Sequence, residues 1–275
     1  MIHVRKEGGA LGAIISGLDL TAPLPEADVA GLKQALAEHQ VIFFHDQVLS
    51  PGQHRTFGQA FGTLQIHPSY PTVEGYPDVI YLENDRENPS KIDEWHTDMS
   101  FTPIPPMGSI LIARIMPEKG GDTMFASLGA SYDDLPHSIK KTVSGLTATH
   151  SFAHGFKDSL AEPGGRERLQ DALDRTPDVV HPVVTTHPIS GRKMLFVNRI
   201  FTSRINELSE KDSEELLSFL CDHMVQEQYV YRFKWRQNSI AFWDNRAVLH
   251  KPVNDYWPAT RRMERVTIND TWRPT

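Results

Sequence analysis

The sequence predicts a mainly β fold with flanking helices, built as one domain over residues 1–275. Seven segments rich in β-branched and aromatic residues indicate strands, and three amphipathic segments indicate helices. The chain contains no internal repeat, low-complexity tract or Ser/Gly linker. A β-barrel or sandwich with helices packed outside it is therefore the most economical architecture.

The three helices are indicated by apolar spacing and by capping residues. EADVAGLKQALAEHQ has apolar residues at helical spacing. In SPGQHRTFGQAFG, Ser50 is a good N-cap, Pro51 suits the first helical position, Gln53 completes a capping box, and Gly62 is expected to end the helix. SEKDSEELLSFLCDHM forms the third helix, capped by Ser209.

Turn signals separate several of the predicted strands. SGR at 190–192 and QNS at 237–239 are of this kind, and a further turn is expected at 244–245. The predicted strand segments are DVIYLEN, MGSILIARIM, PVVTTHP, KMLFVN, YVYRFKW, SIAFWD and RRMERVTIND.

Composition excludes several classes of function. The formal charge is −7 without long runs of either sign, so neither nucleic acid nor an anionic membrane is an expected partner. The single cysteine, Cys221, excludes an internal disulfide. No long apolar stretch follows the N-terminal charges and VIFF is too short to span a bilayer, so a cytoplasmic location is expected.

A candidate metal site begins with EWHTDMSF, where His96 and Asp98 are two positions apart. On an extended backbone both side chains point to one face and can converge on a metal ion. The alternative is a neutral histidine that hydrogen-bonds to a nearby aspartate. A third ligand is available in WDNRAVLH, which ends on His250. Two histidines and one carboxylate leave three coordination positions open, which suits Fe(II) in oxygen-activating enzymes.

The last predicted strand carries two arginines at a spacing of four. In RRMERVTIND an extended backbone places Arg261, Met263 and Arg265 on one face. A guanidinium that points into the core needs an anionic partner, and its fork fits a carboxylate or a sulfonate. The alternative is a surface strand with both arginines in solvent.

Several motifs in order resemble one family. WHTDMSF, GGDTMFAS, WDNRAVLH and RRMERVTI are similar to motifs of the taurine dioxygenase family of Fe(II)- and 2-oxoglutarate-dependent oxygenases, and the similarity covers nearly the whole chain. The resemblance implies a double-stranded β-helix (jelly roll), with Fe(II) as the metal and with 2-oxoglutarate and O2 as cosubstrates. It implies that His96, Asp98 and His250 are the iron ligands, and that Arg261 and Thr123 bind 2-oxoglutarate.

The resemblance also implies a substrate pocket. Its anion-binding residues would be His67 and Arg265, whose counterparts in taurine dioxygenase hold a sulfonate, and the other implied pocket residues are Tyr70, Phe156 and Phe201. Alternatively, His67 hydrogen-bonds a loop carbonyl and the phenylalanines belong to the core.

Two pocket positions depart from taurine dioxygenase. Ile92 replaces an asparagine near the substrate amine, unless the adjacent Asp93 takes that position, and Gly155 replaces a serine. We expect the pocket to be less polar at Ile92 and roomier at Gly155.

Three hypotheses for the function follow. The first is hydroxylation of a small sulfonate such as taurine, with release of sulfite, succinate and CO2. The second is the same mechanism on an alkyl sulfate ester, a phosphonate or an aryloxyalkanoate. The third is a non-catalytic jelly-roll ligand binder. The resemblance further implies a homo-oligomer, a dimer or a tetramer.

Overall fold

The computed structural model describes residues 2–67, 70–90 and 92–275. Backbone contacts divide the chain into two compact units. The first unit comprises Met1–Asp93, Pro106–Ser127 and Glu227–Asp270, and the second comprises Glu94–Pro105, Leu128–Gln226 and Thr271–Thr275. The interpretation of residues 1–275 as one functional domain stays a prediction.

Among its described residues, the first unit holds two α-helices, one 3-10 helix (Glu227–Tyr229) and eleven strands. The helices are α1 (Glu26–His39) and α2 (Pro51–Gln59). The strands are β1 (His3–Lys6), β2 (Ala13–Ser16), β3 (Val41–Phe44), β4 (Thr72–Val73), β5 (Tyr76–Asn84), β6 (Gly108–Ile115), β7 (Thr123–Ser127) and four more near the C-terminus.

The second unit holds most of the helices. They are α3 (Leu128–Asp133), α4 (His137–Val143), α5 (Phe152–Gly155), α6 (Lys157–Ala161), α7 (Gly165–Arg175) and α8 (Glu210–Met224). Its strands are β8 (Thr147–His150), β9 (Val179–Pro182), β10 (Val184–Thr186), β11 (Lys193–Leu195) and β12 (Thr202–Ile205). The last strands of the first unit are β13 (Val230–Phe233), β14 (Ile240–Asp244), β15 (Val248–Pro252) and β16 (Arg261–Ile268).

Two sheets form the core of the first unit. The larger has the order β1-β2-β3-β14-β6-β16-β5-β4, and the smaller has the order β13-β7-β15. Side chains from both sheets, among them Phe43, Phe125 and Trp243, form one buried apolar cluster. The opposite face of the large sheet packs against α1 and α2, through Leu36 and Phe57 among others. This arrangement confirms the predicted jelly roll with helices outside it.

The second unit is less regular. Strands β12, β8 and β9 form a three-stranded sheet, β10 and β11 form a hairpin, and six helices complete the unit. Its small aromatic cluster contains Phe101, Phe152 and Phe201. The sequence predicted α8 and its cap, since Ser209 accepts a hydrogen bond from the amide of Asp212, but it did not predict α3 to α7. Four of these helices have only four to seven residues, so they are too short for a clear apolar period, and α7, with 11 residues, buries only Gly165.

The capping prediction for α2 is confirmed at its start and wrong at its end. Ser50 accepts a hydrogen bond from the Gln53 amide, and the Gln53 side chain accepts one from the Ser50 amide, which completes the capping box. The helix ends at Gln59, with Ala60 as the C-cap, and not at Gly62. A right-handed C-cap needs no glycine, so the Gly62 signal did not mark the boundary.

Candidate active site

The structure brings the three candidate metal ligands together. Ligand atoms of His96, Asp98 and His250 all lie within 4.8 Å of one another. Nε2 of His96 lies 3.7 Å from Oδ1 of Asp98. Both histidines are buried, so water competes poorly with a metal for their lone pairs.

The tautomer of His96 suits a metal ligand. Its Nδ1 lies 3.0 Å from the carbonyl oxygen of Glu94, which can only accept a hydrogen bond. Nδ1 therefore carries a proton, and Nε2 is the nitrogen that a metal ion would bind. A backbone contact of this kind commonly orients metal-binding histidines.

The local backbone around Asp98 differs from the extended one predicted. His96 occupies a single bridge position, and residues 98–101 form a turn in which Met99 adopts a left-handed conformation with φ of 51°. The two side chains still approach each other. A one-residue bridge before a turn leaves no strand long enough to give periodic alternation, so the sequence could not show it.

His250 is positioned by a strand. It lies in β15 opposite Phe125 of β7, and its ring centroid is 4.9 Å from that of Trp243. The chain passes from the large sheet to the small one between β14 and β15, at the turn predicted after Asp244. Ladder hydrogen bonds and aromatic packing therefore fix the direction of the imidazole.

The side-chain orientation along β16 confirms the predicted placement of the two arginines on one face of the strand. Met263 lies in the inter-sheet cluster, while Val266 packs on the helix side of the sheet. Arg261 and Arg265 share the Met263 face by strand alternation. Arg261 is buried and Arg265 is half-buried, so the alternative of a solvent-exposed strand is wrong for Arg261.

Arg261 is a buried cation that fits an anionic ligand. Its Nε donates to the carbonyl of Gly121 at 3.0 Å, and its guanidinium lies 6.0 Å from the ring centroid of Tyr256. Over the described ranges it forms no ion pair, because the nearby carboxylate of Asp122 pairs with Arg232 at 2.6 Å. Burial lowers the pKa of Arg261 below its ordinary value. The carboxylate of a bound ligand would offset the free-energy cost of burying this charge.

The loop before β7 supports Arg261, a role that was not predicted from the sequence. Gly121 has a φ of 74°, and a Cβ there would lie 3.2 Å from Cδ of Arg261. The Gly121 amide donates to Oδ1 of Asp255 at 2.8 Å, and Asp255 also pairs with Arg232. The GG pair in GGDTMFAS was the available signal, since a left-handed backbone close to another side chain favours glycine.

Thr123 begins β7 and is buried. Its Oγ1 accepts a hydrogen bond from Nε1 of Trp235 at 2.9 Å. Because Trp Nε1 is a donor only, the hydroxyl proton of Thr123 stays free to point toward another acceptor. Trp235 was not identified from the sequence as a residue that orients this hydroxyl.

Three of the predicted substrate residues cluster in the first unit. The ring centroids of His67 and Tyr70 are 4.5 Å apart, and the Arg265 guanidinium lies 5.9 Å from the Tyr70 ring centroid. Ile92 is 39% exposed, and its carbonyl accepts a hydrogen bond from Nδ2 of Asn254 at 2.7 Å. Their roles in substrate binding stay predictions.

The other three predicted substrate residues cluster in the second unit. Phe156 stacks on Phe152 at 4.4 Å, and its ring centroid lies 6.2 Å from that of Phe201. The expectation of extra space at Gly155 is wrong. A Cβ at this position would overlap the ring of Phe201, so the phenylalanine already fills the volume that a serine would need.

Similarity to known proteins extends over nearly the whole chain. Residues 3–267 match the family model described as "Taurine catabolism dioxygenase TauD, TfdA family". The chain belongs to the TauD/TfdA family. An alkylsulfatase of Acinetobacter baylyi is 35% identical over 97% of this chain and 84% of its own length. An alpha-ketoglutarate-dependent sulfate ester dioxygenase of Pseudomonas putida is 33% identical over 97% of this chain and 89% of its own.

A solved structure with a similar fold contains a metal ion and a bound small molecule. AAD-2 in complex with Mn(II) and N-oxalylglycine superposes with a TM-score of 0.84 at 29% identity, over 100% of both chains. As a TauD/TfdA member the chain is a 2-oxoglutarate-dependent dioxygenase, which uses Fe(II), 2-oxoglutarate and O2. The hypothesis of a non-catalytic binder is therefore wrong. The helices of the described residues all fall short of what a membrane span requires.

Proposed function

We propose that His96, Asp98 and His250 hold Fe(II), and that Arg261 binds the distal carboxylate of 2-oxoglutarate with the Thr123 hydroxyl beside it. The convergence of the two imidazoles and the carboxylate within 4.8 Å carries this proposal. The donor set suits Fe(II) and leaves three positions open for small molecules. The buried Arg261, with no carboxylate partner in the described part of the chain, supports the 2-oxoglutarate assignment.

The iron centre supplies the oxidation when it is bound: 2-oxoglutarate, O2 and a substrate C–H bond give succinate, CO2 and a C–OH group. The residues of the chain supply placement. Arg261 and Thr123 orient one anion, while the aromatic packing around His250 excludes water from its side of the ligand set. Correct placement of the reacting carbon is the main contribution of the pocket.

The proposed substrate is a small organosulfur anion that is hydroxylated at the carbon next to its head group. Arg265, His67 and Tyr70 supply a guanidinium, an imidazole and a phenol in one cluster, which suits a tetrahedral anion. For a sulfonate such as taurine, the hydroxylated product collapses to an aldehyde and sulfite. Ile92 provides no side-chain partner for an ammonium group, so an amine-free alkyl sulfonate is a better fit than taurine.

An alkyl sulfate ester is the second candidate substrate. The two relatives described above, named for alkyl sulfates and sulfate esters, favour it. Hydroxylation of the carbon that carries the sulfate oxygen gives an aldehyde and sulfate. Phosphonates and aryloxyalkanoates are lesser alternatives within the same mechanism.

A substrate panel tests the proposal. The enzyme with Fe(II), ascorbate and 2-oxoglutarate is incubated with taurine, hexanesulfonate, hexyl sulfate, hexylphosphonate or 2,4-dichlorophenoxyacetate. We expect substrate-dependent succinate with hexanesulfonate or hexyl sulfate, accompanied by sulfite or sulfate respectively. Arg265→Ala should lose this stimulation, whereas Arg262→Ala, on the opposite face of β16, should keep it. Stimulation by 2,4-dichlorophenoxyacetate alone would refute the organosulfur assignment.

A further inference from the structure

The segment His96–Thr102 carries two of the three proposed metal ligands but has little backbone pairing. It contains one bridge position at His96 and a turn at residues 98–101. Ser100, in the middle of this turn, is fully buried. The contacts of Ser100 therefore decide how firmly the segment is held.

The hydroxyl of Ser100 joins two buried side chains of the second unit. Nδ2 of Asn198 donates to Oγ of Ser100 at 2.9 Å, and Oγ lies 3.0 Å from Nδ1 of His150. Burial, with a smaller effect of His181, lowers the pKa of His150 to about 3, so its ring is neutral at neutral pH. A neutral Nδ1 can accept the hydroxyl proton, which gives a directed chain from Asn198 through Ser100 to His150.

A second histidine holds the backbone of the same segment. Nε2 of His181 lies 3.0 Å from the carbonyl oxygen of Ser100 and 3.1 Å from that of Thr102. Both carbonyls are acceptors, so Nε2 carries the proton and is shared between them. The turn is thus fixed through its side chain and through its main chain.

Asn198 also holds the backbone at Phe201. Its Oδ1 accepts a hydrogen bond from the Phe201 amide at 2.8 Å, while its Nδ2 is engaged with Ser100. The ring of Phe201 packs on Phe101 at 4.8 Å between centroids. A single buried amide therefore connects the ligand-bearing turn with a residue of the proposed substrate pocket.

We infer that Ser100, Asn198, His150 and His181 form a positioning network that holds His96 and Asp98 ready for the metal. This inference rests on the proposed function, which makes these two residues ligands. None of the four network residues needs to touch the metal or the substrate. A buried polar network with several partners gives rigidity that a one-residue bridge cannot give. Outer partners of this kind typically change metal affinity by about 10–100-fold.

The test is Mn(II) affinity, measured by electron paramagnetic resonance of the free ion in titrations of the purified chain. Ser100→Ala should raise the Mn(II) dissociation constant about tenfold. Ser131→Ala is the matched control, because Ser131 is equally buried in the same unit and its hydroxyl donates to the Leu128 carbonyl in α3. This control should lose comparable thermal stability and keep the affinity of the parent protein.

If Ser100→Ala does not fold, a second pair of variants tests the same network. His181→Leu removes the shared donor and should weaken Mn(II) binding, and His181→Gln, whose amide can still donate, should recover part of the affinity. Unchanged Mn(II) affinity in Ser100→Ala or in His181→Leu would overturn the network. If His250→Ala also bound Mn(II) like the parent protein, the proposed metal site itself would be wrong, which is a distinguishable result.

Discussion

His250 and Arg261 lie in the first unit, each on a strand that pairs with at least one neighbouring strand of its own sheet. His96 and Asp98 lie in the second unit, at a one-residue bridge and in a turn. The strand residues inherit their direction from ladder hydrogen bonds and from the apolar cluster between two sheets. The turn that carries Asp98 has few ladder hydrogen bonds and little apolar packing, and it is held by buried polar side chains. A site can thus combine positions fixed by sheet packing with positions fixed by individual hydrogen bonds, and the second kind depends far more on single residues.

The largest effect is expected from removal of a metal ligand. His96→Ala or His250→Ala leaves two protein ligands, which should abolish turnover and weaken metal binding beyond the roughly 100-fold typical of outer partners. His223→Ala, a buried histidine that contacts the Ser131 carbonyl, is the control. Iron-dependent succinate formation and Mn(II) titration measure the effect. Near-normal activity in either ligand variant would contradict the assignment.

Loss of the strand-held cation should be the next largest effect. Arg261→Ala should raise the KM for 2-oxoglutarate by an amount equivalent to about 2–5 kcal/mol, since a buried charge-assisted contact is truncated. Arg261→Lys should recover only part, because an ammonium lacks the planar fork. Arg262→Ala breaks a half-exposed ion pair with Glu83 and should change stability by less than about 1 kcal/mol. An unchanged KM in both Arg261 variants would exclude the role.

A third prediction concerns the aromatic cluster of the second unit. Gly155→Ser forces its Cβ against the Phe201 ring, so we expect a loss of about 1–3 kcal/mol in the free energy of unfolding. The displaced ring should also lower kcat/KM for the best substrate of the panel. Gly9→Ser is the control, because a Cβ at Gly9 has no neighbour within 4 Å. Full stability and activity of Gly155→Ser would show that the cluster adapts freely.

The smallest effect is an acid sensitivity of stability that the two units share. Burial lowers the pKa of His54 in the first unit and of His150 in the second, in each case to about 3. An unfolded histidine titrates near 6.5, so the unfolded chain binds the extra proton between pH 6.5 and 3. Stability therefore falls as the pH is lowered through this window, by about 1.4 kcal/mol per pH unit for each histidine.

His54→Gln should remove the contribution of one histidine to the pH dependence of stability. The variant should lose about 2 kcal/mol less than the parent protein when urea unfolding at pH 5 is compared with unfolding at pH 7. The exposed His137→Gln serves as the control and should reproduce the loss seen in the parent protein. An identical loss in His54→Gln and in the parent protein would mean that His54 is not kept neutral by burial.

The sequence by itself determined the residues whose neighbours are set by regular periodicity. Strand alternation in RRMERVTIND placed Arg261 and Arg265 on one face, and the capping box at Ser50 and Gln53 marked the start of α2. Both patterns are local, so the backbone geometry of one element is enough to interpret them. The ordered motifs from His96 to Arg265 likewise carried the family and its jelly roll.

Only the tertiary structure decided what depends on partners distant along the chain. Ser100 meets Asn198 across 98 residues, and His181 meets Thr102 across 79. The sequence predicts open space at Gly155, yet the ring of Phe201 occupies that volume. Side-chain packing and buried hydrogen bonds are set by which elements the fold brings together, and no periodicity along the chain records that choice.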